Sequence, residues 1–329
     1  MTTLPEIETL IPSPPKSTTG TAPGKIILFG EHSVVYGRPA LAVPVSQVVA
    51  TCVVSQAPKG TGVKINAKDI DKQYQVTDEK TNNPLRVAVQ VALDYLDKSR
   101  FLDDITITIS STIPMASGLG SGAAVSTAII RALAQHYEQS LESRIISDLV
   151  FEVEKLHHGT PSGIDNTVVA YNQPVFFQHA QPTVPLRVQE PLTFVIGNTG
   201  IKSPTHKVVG DLRRRREANP QCYDQMFDKM ASLAMTARTA IETGNLAHIG
   251  ACMTENHQLL DQIGVSSIIL NEWVEIANRN GAFGAKLSGA GWGGNMIALT
   301  TSGQAESIAR ALSMVGAEQP LITQVEKGY

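Results

Sequence analysis

The sequence predicts a mixed protein of helices and strands, α+β or α/β in class, with about two domains. Three observations carry this. The chain has 329 residues, against roughly 100–200 for a typical domain. Short Val- and Ile-rich runs alternate with longer stretches of helical periodicity. Two glycine-rich segments, at 114–122 and 281–294, interrupt that alternation between probable elements. No internal repeat is visible.

Residues 1–20 are rich in Pro, Ser and Thr and read as a flexible tail, with order beginning near Thr21. They lack the long apolar core of a secretory signal. Val and Ile content predicts strands at 25–29, 40–45 and 48–54. Residues 56–83 are polar and suit a hairpin with loops. Leu85, Val89, Ala92, Leu93 and Leu96 fall at helical spacing. The ITITI run at 105–109 alternates cleanly and predicts a strand. Helices follow near 123–137 and 143–156. Pro182, Pro185 and Pro191 mark a domain junction, which divides the chain into a tail (1–20), a first domain (21–187) and a second (188–329). The second domain reads as a strand at 192–196 and a polar, then basic, segment at 203–216. Helices at 221–243, 245–260 and 267–280 come next, then strands at 285–287 and 295–299, and a last helix near 303–315.

The composition excludes several classes. A net charge of −3 gives no whole-chain attraction for nucleic acid or an acidic membrane. Cys52, Cys222 and Cys252 are few, odd in number and far apart, which argues against a disulfide framework or a zinc ribbon. No run approaches the 18 or so apolar residues of a membrane span. A cytoplasmic location is expected.

The loop Pro114–Ala124 lies between the ITITI strand and an apolar helix. Backbone N–H groups at a helix start have no intrahelical partner, and the helix dipole adds partial positive charge. Together they favour an anion, most often phosphate. Gly118, Gly120 and Ala123 fit the dinucleotide pattern GxGxxA, but several residues separate them from the strand. Gly20 and Gly24-Lys25 fail the P-loop spacing, and Ile26 stands where Ser or Thr is required. Lys25 begins an apolar strand, so it either reaches solvent or points into a site. Glu31-His32 lies in a glycine-bounded turn, a setting common for functional residues. Glu154 lies on the last turns of a helix, and after a Gly-Thr-Pro-Ser-Gly breaker Asp165 is expected at a loop end. There it could act on a hydroxyl proton or cap a following helix. Glu154 could hold Mg²⁺ through oxygen. His157-His158 is a poor metal pair, because neighbours in sequence do not share a helix face. The six glycines of 281–294 imply close backbone approach, and this second loop is expected to cover nucleotide phosphates or substrate. The run Arg213–Arg216 reads mostly as a solvated helix face.

Four segments, PGKIILFGEHSVVYGRPA (23–40), IPMASGLGSGAA (113–124), HGTPSGIDNTV (158–168) and KLSGAGWGGN (286–295), together resemble the GHMP small-molecule kinases. Within that superfamily they resemble the mevalonate kinase branch, and the similarity spans 21–300. The resemblance implies an α+β chain of two domains. The first carries the glycine-rich phosphate loop, the second is ferredoxin-like, and the active site lies between them. It implies ATP-dependent phosphorylation of mevalonate at the C5 hydroxyl, with ATP and Mg²⁺ as cofactors and a homodimer as the assembly. Asp165 is then the catalytic base and Lys25 the cation beside it. Pro114, Ser117, Gly118, Leu119, Gly120, Ser121, Gly122, Ala123 and Ala124 would cradle the ATP phosphates. Glu31, His32, Ser162, Gly163, Gly289 and Ala290 would line the acceptor side with Lys25 and Asp165. Glu154 would bind Mg²⁺. The family's loop usually ends in a second serine whose hydroxyl reaches the metal, and this chain has Gly122 there. Either Ser121 takes that role, or water does and Glu154 is the main protein ligand.

Three other readings compete. A sibling kinase would act on phosphomevalonate, a sugar or homoserine. A Rossmann-type oxidoreductase would use Gly118, Gly120 and Ala123, with Glu142 on the ribose, but it leaves 158–168 and 281–295 unexplained. A catalytically silent nucleotide-binding protein has no use for Lys25, Glu154 and Asp165 together.

Overall fold

The computed structural model describes residues 17–77, 83–99, 103–114, 117–158 and 161–328. Most of the expected tail, 1–16, lies outside them. In chain order the elements are β1 (Ser17–Phe29), β2 (Ala40–Gln56), β3 (Val63–Ala67), β4 (Lys72–Gln75), α1 (Pro84–Tyr95), β5 (Ile105–Ser111), α2 (Ser121–His136), α3 (Ser143–His158), α4 (Ile164–Tyr171), β6 (Val175–Phe177) and β7 (Val184–Pro185). There follow β8 (Leu192–Asn198), α5 (Thr205–Ala218), α6 (Pro220–Thr243), α7 (Leu246–Gln262), α8 (Ile268–Arg279), β9 (Gly284–Ser288), β10 (Asn295–Thr300), α9 (Ser302–Met314) and β11 (Leu321–Val325).

Among the described residues the first seven strands form one sheet, in the order β4-β3-β5-β2-β6-β7, with β1 paired to β2. All its pairs are antiparallel except β3 with β5. A Rossmann site needs a parallel sheet, and the strand before the glycine loop, β5, runs antiparallel to β2, so the oxidoreductase reading falls here. The second sheet has the order β11-β8-β10-β9 and is antiparallel throughout. Numbered within that sheet this is 4-1-3-2, the ferredoxin-like arrangement, with α5 to α8 in the first crossover and α9 in the second. The class is α+β.

Regular structure reaches further towards the N-terminus than the sequence suggests. β1 starts at Ser17, because Thr18 to Ala22 pair with β2 and the Thr18 hydroxyl donates to the Ala132 carbonyl at 3.0 Å. Gly20 lets α2 lie against this strand: a Cβ there would stand 2.2 Å from the Ala128 carbonyl oxygen. β2 is one strand rather than two. Its pairing with β1 jumps from Val49 to Val45, so 46–48 bulge where the sequence predicts a gap. The strands β6, β7 and β11 and the helix α4 were not expected. α4 follows a run of helix breakers, and its apolar residues Ile164, Val168 and Val169 are buried, so tertiary burial rather than local propensity holds it.

The two layers share one contiguous apolar core. At their seam the Ser288 hydroxyl on β9 donates to the Ile27 carbonyl at 2.9 Å and accepts from the Ile27 N–H at 3.1 Å. One side chain thus occupies both backbone groups of an edge residue of β1. This seam fixes the distance between Lys25 and the glycine loop that follows β9.

Candidate active site

Lys25 is drawn inward by its neighbours in β1, Ile26 to Phe29, which are all buried. Its N–H donates to the Leu119 carbonyl at 2.9 Å, tying the strand to the phosphate loop. Its stem runs past Gly120, where a Cβ would come within 2.7 Å of the lysine Cγ. Gly120 also has φ of 75° and caps α2, so both space and backbone require glycine there. The Lys25 ammonium ends 2.8 Å from Oδ1 of Asp165, and the two side chains are 5% and 30% exposed. The pair is therefore fixed at its lysine end and approachable at its carboxylate end.

Asp165 is the second residue of α4 rather than a loop residue. The side-chain oxygen of Ser162 accepts from the Ile164 N–H at 3.4 Å and helps start the helix, and Gly163 takes φ of 86° at its N-cap. Glu154, half-buried on α3, is the third charge. Burial first, and then the negative charge of Asp165, push its carboxyl up to about 8 against the opposing pull of Lys25.

α2 begins at Ser121, two residues before the sequence suggests. Ser121 and Gly122 therefore lie in its first turn, where N–H groups have no intrahelical acceptor. Pro114, Gly118 and Gly122 are exposed, whereas Leu119, Ala123 and Ala124 are buried. Those three can offer a nucleotide only backbone. The Ser117 hydroxyl is buried and donates to the Pro114 carbonyl at 2.7 Å.

On the opposite side, the Glu31 carboxylate is paired with the ammonium of Lys286, and both are buried. Lys286 Nζ also donates to the Leu287 carbonyl at 2.6 Å. Burial pulls this ammonium down, and Glu31 opposes it. His32 adopts φ of 61°, and its Nε2 lies 2.9 Å from the Ala290 carbonyl oxygen. A carbonyl only accepts, so Nε2 carries the proton and Nδ1 is left with a lone pair. Burial, helped by the charges of Arg215 and Lys286 and opposed by the Ala290 bond, lowers His32 to about 4, so the ring is neutral near pH 7.

The glycines after β9 are explained largely by protein contacts. A Cβ on Gly291 would stand 1.9 Å from the Val265 carbonyl oxygen. Trp292, at φ of 54°, donates from its indole N–H to Gly264 at 2.9 Å. The loop is pinned to the turn after α7, so part of the close backbone approach expected of its glycines is to protein. Gly289 and Ala290 are half-buried, and Ala290 meets the acceptor side through its carbonyl. The basic run also divides. Arg213 and Arg214 are exposed, Arg215 binds the Ile263 carbonyl, and Arg216 pairs with Asp224 at 2.8 Å.

Models of two domain families match the chain: GHMP kinases N terminal domain over residues 86–173, and GHMP kinases C terminal over 237–317. The chain is 37% identical to the mevalonate kinase of Pyrococcus horikoshii, in an alignment that covers 95% of this chain and 96% of that one. The chain belongs to the mevalonate kinase family. Solved structures of the family share its fold. L. major mevalonate kinase in complex with R-mevalonate matches with a TM-score of 0.83 and 29% identity, covering 95% of this chain and 97% of that one. Methanococcus jannaschii mevalonate kinase matches with 0.81 and 27%, covering 95% and 99%.

In this member of the mevalonate kinase family, the structure adds residues that sequence reasoning passed over. Lys286 is one, although a lysine inside the buried run Gly284–Ser288 carries the same signal that singled out Lys25. His257 is another: it is buried and accepts from the Leu287 N–H at 3.3 Å through Nδ1. Asn198 and Asn295, both in the second sheet, reach the phosphate loop at the Ser117 carbonyl and have no signature in sequence.

Proposed function

We propose that this protein transfers the γ-phosphoryl group of ATP to the C5 hydroxyl of (R)-mevalonate, giving 5-phosphomevalonate and ADP in the mevalonate route to isoprenoids. The observation that carries the reading is the Lys25–Asp165 pair, 2.8 Å apart, set beside a glycine-capped helix N-terminus. An alcohol is a weak nucleophile until a base takes its proton. Asp165 accepts the C5 hydroxyl proton, and the oxygen forms a bond to the γ-phosphorus as the bond to the β–γ bridging oxygen breaks. Lys25 steadies the developing alkoxide and holds the Asp165 carboxylate aimed. The first N–H groups of α2 and the loop Gly118–Gly120 hold the phosphates, where preorganised donors are most effective. Neutral His32 offers Nδ1 as an acceptor to a substrate hydroxyl. Glu31, Ser162, Gly163, Gly289 and Ala290 shape the acceptor side.

The donor set suits Mg²⁺. Glu154 is a hard oxygen ligand whose pKa is raised first by burial and then by the like charge of Asp165, and a divalent cation relieves that repulsion. Mg²⁺ keeps waters and phosphate oxygens among its ligands, so Glu154 and the Ser121 hydroxyl are protein donors enough. When bound, the ion neutralises charge on the β- and γ-phosphates.

A homodimer and a cytoplasmic location belong to the same reading. In support of the second, Cys52, Cys222 and Cys252 are free thiols, and no helix among the described residues is long and apolar enough to cross a membrane. Sedimentation analysis tests the first.

The deciding experiment is a coupled ADP-release assay with Mg-ATP and mevalonate, phosphomevalonate, homoserine, galactose or no acceptor. ADP release only with mevalonate, and 5-phosphomevalonate as product, is expected. Activity confined to another acceptor would keep the kinase and move its specificity.

A further inference from the structure

We infer that Asn198 and Asn295 form a positioning clamp that holds the phosphate loop from the second sheet. The inference rests on the kinase reading above. Asn295 opens β10, Asn198 closes β8, and the two are register partners. Asn295 is 1% exposed. Its Nδ2 donates to the Ser117 carbonyl at 2.5 Å. The Asn198 Nδ2 donates to Asn295 Oδ1 at 2.8 Å and reaches the same Ser117 carbonyl at 3.4 Å. The Gly200 N–H in turn donates to Asn198 Oδ1 at 2.7 Å.

This chain of bonds has a single self-consistent direction. The Ser117 carbonyl can only accept, so Asn295 must present its NH₂ group there. Its oxygen then faces Asn198, whose NH₂ is the donor. The remaining Asn198 oxygen meets a backbone N–H that can only donate. Neither amide can flip without placing like atoms together.

The clamp acts where the loop has little of its own to hold it. Gly118 and Gly120 both lie at positive φ, 80° and 75°. The Ser117 hydroxyl is turned back on the Pro114 carbonyl and the Leu119 carbonyl is taken by Lys25. The loop is thus gripped at Leu119 from β1 and at Ser117 from the asparagines. Directly after those grips the free N–H groups of the α2 N-terminus keep one direction before nucleotide arrives. The acceptor side is reached by a different route, through His32 and the Ala290 carbonyl. The clamp therefore bears on ATP and not on the alcohol.

Asn295→Asp preserves shape and still accepts from Asn198, but it sets an oxygen against the Ser117 carbonyl. ATP affinity, measured by calorimetry without acceptor, is expected to fall about tenfold or more, with the KM for mevalonate unchanged. Asn198→Asp removes the other donor and is expected to act in the same direction. Asn198 is half-buried, so that variant carries the test if Asn295→Asp does not fold. Thermal midpoints are recorded alongside, because a purely structural pair would lower them and leave ATP affinity alone. Folded variants that bind ATP within about twofold of the parent would overturn the clamp. A parent that binds ATP but does not turn over mevalonate would overturn the substrate reading and leave the clamp measurable. A parent that binds no ATP would overturn both.

Discussion

Lys25–Asp165 and Lys286–Glu31 are both lysine–carboxylate pairs, and burial gives them opposite characters. Lys286 and Glu31 are 0% and 1% exposed, and Lys286 has a second partner in the Leu287 carbonyl. Asp165 is 30% exposed, although Lys25 behind it is not, and Glu154 stands close enough to feel its charge. The closed pair is shut away from solvent and joins residues 255 positions apart. The open pair has a carboxylate oxygen available and a third charge that a metal can satisfy. The same two functional groups serve as a fastener in one place and as chemistry in the other, and access decides between them.

The comparison is broken most directly at the open pair. Asp165→Asn is expected to lower kcat by about 10³-fold, within the range for loss of a general base, while ATP binding stays near the parent value. Stopped-time product analysis and calorimetry read the two quantities. Near-normal turnover would take Asp165 out of the base role. At the closed pair, Lys286→Met strands a buried carboxylate and should cost about 3–5 kcal/mol of stability, read as a shift in denaturant midpoint. The double variant Glu31→Gln/Lys286→Met should recover much of it. A single variant as stable as the parent would show that the pair is no fastener.

A smaller effect separates the sides by pH. His32 and His257 are both lowered to about 4 from an ordinary 6.5, chiefly by burial. Between those values the unfolded chain binds more protons than the folded one, so stability falls as pH drops from 6.5 towards 4. His257→Gln should flatten that acid limb in thermal midpoints. His32→Asn should do the same, since asparagine tolerates the left-handed backbone at that position. Curves parallel to the parent would remove the imidazoles from the acid response. The smallest change is expected at Gly122→Ser. A Cβ there meets nothing within 4 Å, so a hydroxyl is added without strain. The Mg²⁺ concentration for half-maximal activity should fall by less than about tenfold, the worth of one neutral ligand. An unchanged titration would mean that the new hydroxyl does not reach the metal.

Much of the frame was legible in the residues. The ITITI run, the helix after the glycine loop and the long helices from 220 onward follow from periodicity, because each buries a regular face. Lys25 could be singled out because a cation at the head of an apolar strand is unusual. β1 was misjudged at its start because Ser17, Thr18 and Thr19 have no apolar pattern, and their strand is held by β2 and by Ala132 on α2. α4 was missed because the preceding glycines and proline signal only a break.

Local pattern was enough for the strand and helix periods, the glycine-capped helix start and the short list of charged residues worth watching. Tertiary structure alone decided which of those charges meet. Lys25 reaches Asp165, Glu31 reaches Lys286, and Asn295 reaches Ser117 only because the two sheets share a seam at Ile27 and Ser288. Local pattern reports what a residue buries within its own element. It carries no information about a partner 140, 255 or 178 positions away, whose approach is set by the packing of the whole core.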